Sequence, residues 1–181
     1  MRSAVFFEID GVLNLSPVED GVQVSPQSAR ELRTNDQAVE AAEDLKAAGY
    51  LLIATAHMPD LSRGLVCRRE HDEMLAVLRE TFHLDDILIC PHEEADECPC
   101  CKPNAGLLTE AGFKWHLDLD HSFVISDKWQ DAEAARQAGC TSLLLRSPWI
   151  EGGHRDIVVR DVAAAAHRIV QLHSNKRALV A

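Results

Sequence analysis

The sequence predicts an α/β fold in which a parallel sheet is covered by helices on both faces, and three observations lead there. Short apolar runs alternate with segments of helical period along the chain. The runs carry apolar residues at successive positions, as strands buried on both faces do. Polar residues gather at their C-terminal ends, namely Glu8 and Asp10, Thr55 and His57, Cys90 and His92, and Asp127 and Asp131. That edge is where parallel sheets hold ligands, and the architecture is a Rossmann-like three-layer one.

The elements follow in order. Ala4 to Ile9 reads as a strand, then a polar loop runs to about Asn35. A helix from Asp36 to Ala48 stops at Gly49, a residue suited to the left-handed turn that ends helices. Leu51 to Thr55 is the second strand, Gly64 to Phe82 a long amphipathic helix, and Asp86 to Cys90 the third strand. A cysteine-rich loop follows, with a helix from about Asn104 and a strand at Ser122 to Ser126. A helix at Gln130 to Ala138, closed by Gly139, leads to a strand at Thr141 to Leu145. The last helix spans Asp161 to His173.

The totals bound the function. A chain of 181 residues, 46% hydrophobic and 26% charged, fits one globular domain over 1–181. A formal net charge of -11 argues against nucleic acid, because no concentrated basic patch offsets it. The start lacks the apolar run of a signal peptide and no stretch reaches the length of a membrane span, so a cytoplasmic protein is expected. No exposed heptad argues against a monomer.

Among six cysteines, four crowd between Cys90 and Cys101. Cys90, His92, Cys98 and Cys100 form a C-x-H-x5-C-x-C set in the 90–101 loop, suited to tetrahedral zinc with its coordination shell closed, hence structural. Cys101 could replace Cys100, or be a free thiol beside the site; Cys100 is preferred because it leaves Cys101 and Lys102 pointing onward. The competing reading of this loop is a redox pair or small buried residues.

Residues two apart in an extended segment point to one side, so Glu8 and Asp10 can face one ligand, with Gly11 allowing a sharp turn. Asp127 and Asp131 extend the group. Such a cluster is costly unless a hard cation neutralises it, and magnesium is the natural candidate. Thr55 offers a hydroxyl and Lys102 a cation for phosphate oxygens.

Together these residues resemble the haloacid dehalogenase (HAD) superfamily of phosphohydrolases, and within it the small branch without a large cap that contains heptose bisphosphate and histidinol-phosphate phosphatases. The resemblance runs from Phe6 to about Leu145 and includes the zinc loop. It implies that Glu8 stands at the position of the nucleophilic aspartate and Asp10 at the general acid/base. It implies a magnesium site from Glu8, the Asp10 carbonyl and Asp127, with Ser126 replacing a glycine and Asp131 retained. Thr55 matches the residue that orients the phosphoryl group and Lys102 the lysine that stabilises it, while Lys128 lies beside the site. The substrate would be a small phosphorylated metabolite contacted by Thr55, Ala56, His57, Cys101, Lys102 and Lys128.

Several positions depart from the family's pattern. Ala56 and His57 replace the family's Asn and Gln, Cys101 replaces an arginine, and Glu8 carries its carboxylate roughly 1 Å further out, a displacement that can cost about 100-fold in rate. Impaired catalysis, or a catalytically silent protein that binds a phosphorylated ligand or partner, is therefore the alternative. From other classes, the rivals are a zinc-stabilised interaction module and a thiol redox protein using Cys98, Cys100 and Cys101. Cys67 and Cys140 are read as small buried residues. Trp115, Trp129 and Trp149 are read as packing, and His71, His83, His116, His121, His154, His167 and His173 as surface or core.

Overall fold

The computed structural model describes the backbone of residues 1–180 and the side chains of residues 1–172; the expectation for the His173 side chain lies outside them. A six-stranded sheet of order β5-β4-β1-β6-β7-β8 forms the middle layer, and every neighbouring pair in it is parallel. Its strands are β1 (Ala4–Glu8), β4 (Leu51–His57), β5 (Asp86–Cys90), β6 (Phe123–Ser126), β7 (Thr141–Leu145) and β8 (Ile157–Val159). From β1 the chain builds outward through β4 and β5, then crosses to β6 on the other side. The reversal opens a crevice at the C-terminal end of β1.

The pleat sorts the residues of β1. Val5 and Phe7 join one apolar cluster, which takes Ala38, Ala41, Ala42 and Leu45 from helix α1 (Asp36–Ala47) and Val162, Ala165, Ala166 and Ile169 from helix α5 (Val162–Val180). Ala4 and Phe6 join the opposite cluster, with Leu107, Leu108 and Ala111 of helix α3 (Gly106–Trp115) and Ala134 and Ala135 of helix α4 (Trp129–Ala138). Both phenylalanines are fully buried. Each contributes roughly 1.5–3 kcal/mol by leaving water.

Glu8 follows Phe6 by two positions and therefore faces the α3/α4 side, where α4 begins. Its register partner in β4 is Thr55. The first element thus delivers a carboxylate to the crevice and stops. Ile9 is not part of the strand, because the backbone turns there and the Ile9 carbonyl accepts from Leu13 and Asn14.

The other boundaries differ from expectation for local reasons. β4 continues past Thr55 because Ala56 and His57 pair with Ile89 and Cys90 of β5. Helix α2 (Arg68–Thr81) starts four residues after Gly64, since Pro59–Leu61 forms a tight turn and the Asp60 carbonyl accepts from Leu65 and Val66. The polar loop before α1 contains an antiparallel hairpin, β2 (Val18–Glu19) with β3 (Val22–Gln23). β8 was not expected; it is a three-residue edge strand, led in by Asp156, whose carboxylate accepts from the Ser142 N–H at 2.8 Å and the Ser142 hydroxyl at 2.7 Å. α5 is capped by the Asp161 carboxylate on the Ala164 N–H and runs on to Val180. Among the described residues no helix is long and apolar enough to cross a membrane.

Candidate active site

Four carboxylates meet at the C-terminal edge of the sheet, and each is at most 8% exposed: Glu8, Asp10, Asp127 and Asp131. Two ammonium groups hold them. Lys102, after the cysteine loop, donates to the Glu8 carboxylate, pairs with Asp131 Oδ1 at 2.5 Å and reaches the Thr55 carbonyl at 3.2 Å. Lys128 donates to the Asp10 carbonyl at 2.6 Å and to Asp127 Oδ1 at 3.0 Å. Four carboxylates against two ammoniums leave a surplus of two negative charges at one place.

The electrostatics follow from this packing. Burial pushes the Glu8 carboxyl up, but Lys102 and Lys128 outweigh it and the group lies below its ordinary value. For Asp131 burial wins over Lys102, helped by the negative charge of Glu8, and its carboxyl is raised to about 6. Asp127 is raised by burial in the same way, with Lys128 opposing. Lys102 and Lys128 are both raised: the carboxylates more than offset the burial that would lower them.

Glu8 differs from an aspartate in how it is held. Its extra methylene lets the carboxylate fold back, so that Oε1 accepts from the Ile9 N–H at 3.1 Å while Oε2 meets Lys102. Asp10 is held by three side chains: Asn14 Nδ2 at 2.9 Å and the Ser16 hydroxyl at 2.7 Å on Oδ1, and the Ser25 hydroxyl at 2.6 Å on Oδ2. Gly11 has φ +92, and a Cβ there would lie 2.1 Å from Asp127 Oδ2. Only glycine admits both the turn and the approach of that carboxylate.

The fit of magnesium can be judged from the donors. Glu8, the Asp10 carbonyl and Asp127 offer oxygen only, the surplus of two negative charges matches a divalent ion, and the Lys128 ammonium already stands between two of the three. Asp131 is set apart from that group, since Lys102 and the Ser126 hydroxyl, at 2.8 Å, engage its carboxylate. Thr55 is 1% exposed and its hydroxyl has no hydrogen-bond partner among the described residues. Of the two ammoniums, Lys102 reaches this residue, through the Thr55 carbonyl at 3.2 Å.

In the 90–101 loop, the ligand atoms of Cys90, His92, Cys98 and Cys100 all lie within 4.8 Å of one another, a group that could hold a metal. Neighbouring thiols and N–H groups outweigh burial at Cys98 and bring it down to about 7, whereas burial with the nearby sulfurs pushes Cys100 up to about 12. Cys101 turns the other way, its sulfur 3.7 Å from His57 Nε2, which lies 2.7 Å from the His92 carbonyl. That carbonyl can only accept, so His57 Nε2 carries the proton.

Two contiguous cavities open over the site. The inner, about 170 Å³, is lined by Glu8, Asp10, Lys102, Lys128 and Asp131 together with Gln23, Ser25, His57, Glu94 and Gln130. The outer is a cleft of about 940 Å³ between the hairpin and the segments around Pro59 and Glu94. Thr55, Ala56 and Cys101, expected at the substrate, line neither: Thr55 is buried, Ala56 is packed in the α1/α5 cluster and Cys101 in the α3/α4 cluster. Of the site residues that sequence reasoning missed, Gln23 and Ser25 carry the clearest signal. Val18 and Val22 flanking Asp20-Gly21 form a hairpin signature, and Gln23 Nε2 donates to Asp127 Oδ2 at 2.6 Å.

Comparisons with known proteins agree with the fold. The HAD-hydrolase-like family matches residues 99–170. The chain is 28% identical to the D-glycero-β-D-manno-heptose-1,7-bisphosphate 7-phosphatase of Pseudomonas aeruginosa over 94% of this chain and 99% of that one. To the same enzyme of Pasteurella multocida it is 28% identical, over 80% and 82%. Among solved structures, D,D-heptose 1,7-bisphosphate phosphatase from B. bronchiseptica, complexed with magnesium and phosphate, superposes with a TM-score of 0.76 at 26% identity, covering 94% of this chain and 99% of that one. The corresponding phosphatase from Burkholderia thailandensis gives a TM-score of 0.69 at 18% identity, covering 93% and 99%, a likeness of fold.

Proposed function

We propose that this chain is a hydrolase of the HAD superfamily, which its relatives support, and that it hydrolyses a phosphomonoester of a small metabolite through Glu8 and Asp10. The observation that carries this reading is the pair of carboxylates on one turn at the end of β1, facing the Lys102 and Lys128 ammoniums across a small open pocket. A Glu8 oxygen attacks phosphorus, the ester P–O bond breaks, and the Asp10 carboxylic acid gives its proton to the leaving oxygen. Asp10 then takes a proton from water as the water attacks phosphorus. The bond from phosphorus to Glu8 breaks, releasing phosphate and restoring both carboxyl groups. Ser25 and Ser16 can turn their hydroxyls to accept while Asp10 is protonated, so both of its states are supported.

Lys102 and the Thr55 hydroxyl would hold the transferring phosphoryl oxygens, and Asp131 would fix Lys102 in place. Glu8, the Asp10 carbonyl and Asp127 would hold magnesium, with Lys128 moving off toward the substrate. When bound, the ion would neutralise charge on the phosphoryl group. Cys90, His92, Cys98 and Cys100 would hold a structural zinc that fixes the loop carrying Lys102.

A second reading is favoured by one observation: both Glu8 oxygens are already engaged, one by its own backbone and one by Lys102. The protein would then bind a phosphorylated ligand without turnover. Phosphate release with magnesium present, measured for wild type, Glu8→Asp and Asp10→Asn, decides between the two. Turnover by wild type that Asp10→Asn lowers by about 100-fold or more supports catalysis through Glu8. Turnover by Glu8→Asp alone supports the silent reading, and none in any variant overturns the phosphatase assignment.

A further inference from the structure

The adjacent thiols of Cys100 and Cys101 part company. Cys100 joins the four-ligand group of the loop, its sulfur 3.2 Å from that of Cys90 and 3.4 Å from that of Cys98. Cys101 faces the other way and meets His57, the last residue of β4, with its sulfur 3.7 Å from Nε2. Two positions that depart from the family's pattern, 44 residues apart in the chain, thus come together.

Cys90 completes the group. It is the register partner of His57 and is fully buried, and the ligand atoms of His57, Cys90 and Cys101 all lie within 4.8 Å of one another. Around a tetrahedral zinc ion with sulfur at about 2.3 Å and nitrogen at about 2.0 Å, the two atoms stand about 3.6 Å apart. The distance between Cys101 and His57 matches that edge. As a hydrogen bond it is poor, because the Nε2 proton of His57 is given to the His92 carbonyl at 2.7 Å and the Cys101 thiol reaches the Lys102 carbonyl only at 3.7 Å.

Charge also favours a second ion. Three thiolates around one divalent ion leave one negative charge, and a Cys101 thiolate makes two, which a second divalent ion cancels. An entry path exists, because His57 lines both cavities over the active site.

We propose that His57, Cys90 and Cys101 form a second zinc site, with the Cys90 thiolate bridging it to the ion of the four-ligand group. Binding releases the Nε2 proton of His57 and the thiol proton of Cys101 to solvent, and His57 gives up the His92 carbonyl. Three protein ligands leave the fourth position to water. The lost hydrogen bond and the shared thiolate make this the weaker site, filled after the first. The inference rests on the structural zinc for its bridging ligand, but the two ions are counted separately.

The test supplies the chain with one equivalent of zinc and titrates it with cobalt(II), whose thiolate complexes show a sulfur-to-metal charge-transfer band. Wild type, Cys101→Ser, His57→Ala and Cys67→Ser are compared, with both metals counted by elemental analysis after equilibrium dialysis. Wild type is expected to show the band, to take up about one further equivalent and to keep its zinc. Cys101→Ser and His57→Ala should each lose that equivalent, whereas Cys67→Ser, at an exposed position, should retain it. Cobalt bound without the band, or equally well by Cys101→Ser, overturns the proposal. So does a band that grows only as zinc is released, since that is exchange into the four-ligand group and leaves the structural zinc standing. If wild type retains neither metal, the structural zinc and the second site fall together.

Discussion

Lys102 shows how one side chain joins stability to function. Its ammonium is buried between Glu8 and Asp131, so removing it leaves two buried carboxylates without their partner. Lys102→Met should lower stability by about 3–5 kcal/mol, seen as a fall in denaturation midpoint, and remove activity. Adding Asp131→Asn should restore part of the stability and none of the turnover, which separates charge balance from catalysis. Gly11→Ala is the sharper backbone test, because the new methyl would meet Asp127 as well as an unfavourable φ. It should abolish activity even where circular dichroism shows the fold retained. Neither effect depends on which metabolite is the substrate.

At the scale of elements, Asp86 fastens the sheet edge to α3. Its carboxylate accepts from the Trp115 indole at 2.8 Å and pairs with Lys114 at 2.7 Å, so Trp115 is more than packing. Burial pushes the Asp86 carboxyl up, but Lys114, the indole and the Ile87 N–H outweigh it and hold the group below its ordinary 3.8. A carboxyl lowered on folding stabilises fully above its unfolded value and loses that contribution as pH falls through the lower folded one. Wild type should therefore lose stability below about pH 4, and Asp86→Asn should show a flatter acid limb in urea titrations across the same range. The β2–β3 hairpin is an element that composition concealed: a polar stretch reads as loop, yet its Asp20-Gly21 turn sets Gln23 and Ser25 over the carboxylates.

For the molecule as a whole, the cysteine loop couples folding to the site, since Lys102 follows it directly. If zinc occupies Cys90, His92, Cys98 and Cys100, the purified chain should carry about one equivalent by elemental analysis, and chelation should lower both the melting temperature and the affinity for magnesium. Cys98→Ser should reproduce both losses, whereas Cys67→Ser, at an exposed position apart from the loop, should reproduce neither. Equal effects of the two substitutions would argue that the loop holds no ion.

The sequence by itself determined the layered α/β architecture, the order of its main elements and the carboxylates at the strand ends. Those depend on local periodicity and on alternation along a strand, which any short window displays. Only the tertiary structure decided that Ala56 and Cys101 face apolar clusters rather than the ligand, that Asp131 serves Lys102, and that a hairpin supplies Gln23 and Ser25. The acidic lining of the outer cleft is of the same kind, because Asp60, Glu93 and Glu94 lie on segments that meet only when β4 and β5 pair. Which way a side chain points at a strand end depends on what packs beyond it, and the partners there come from positions up to about a hundred residues away in the chain.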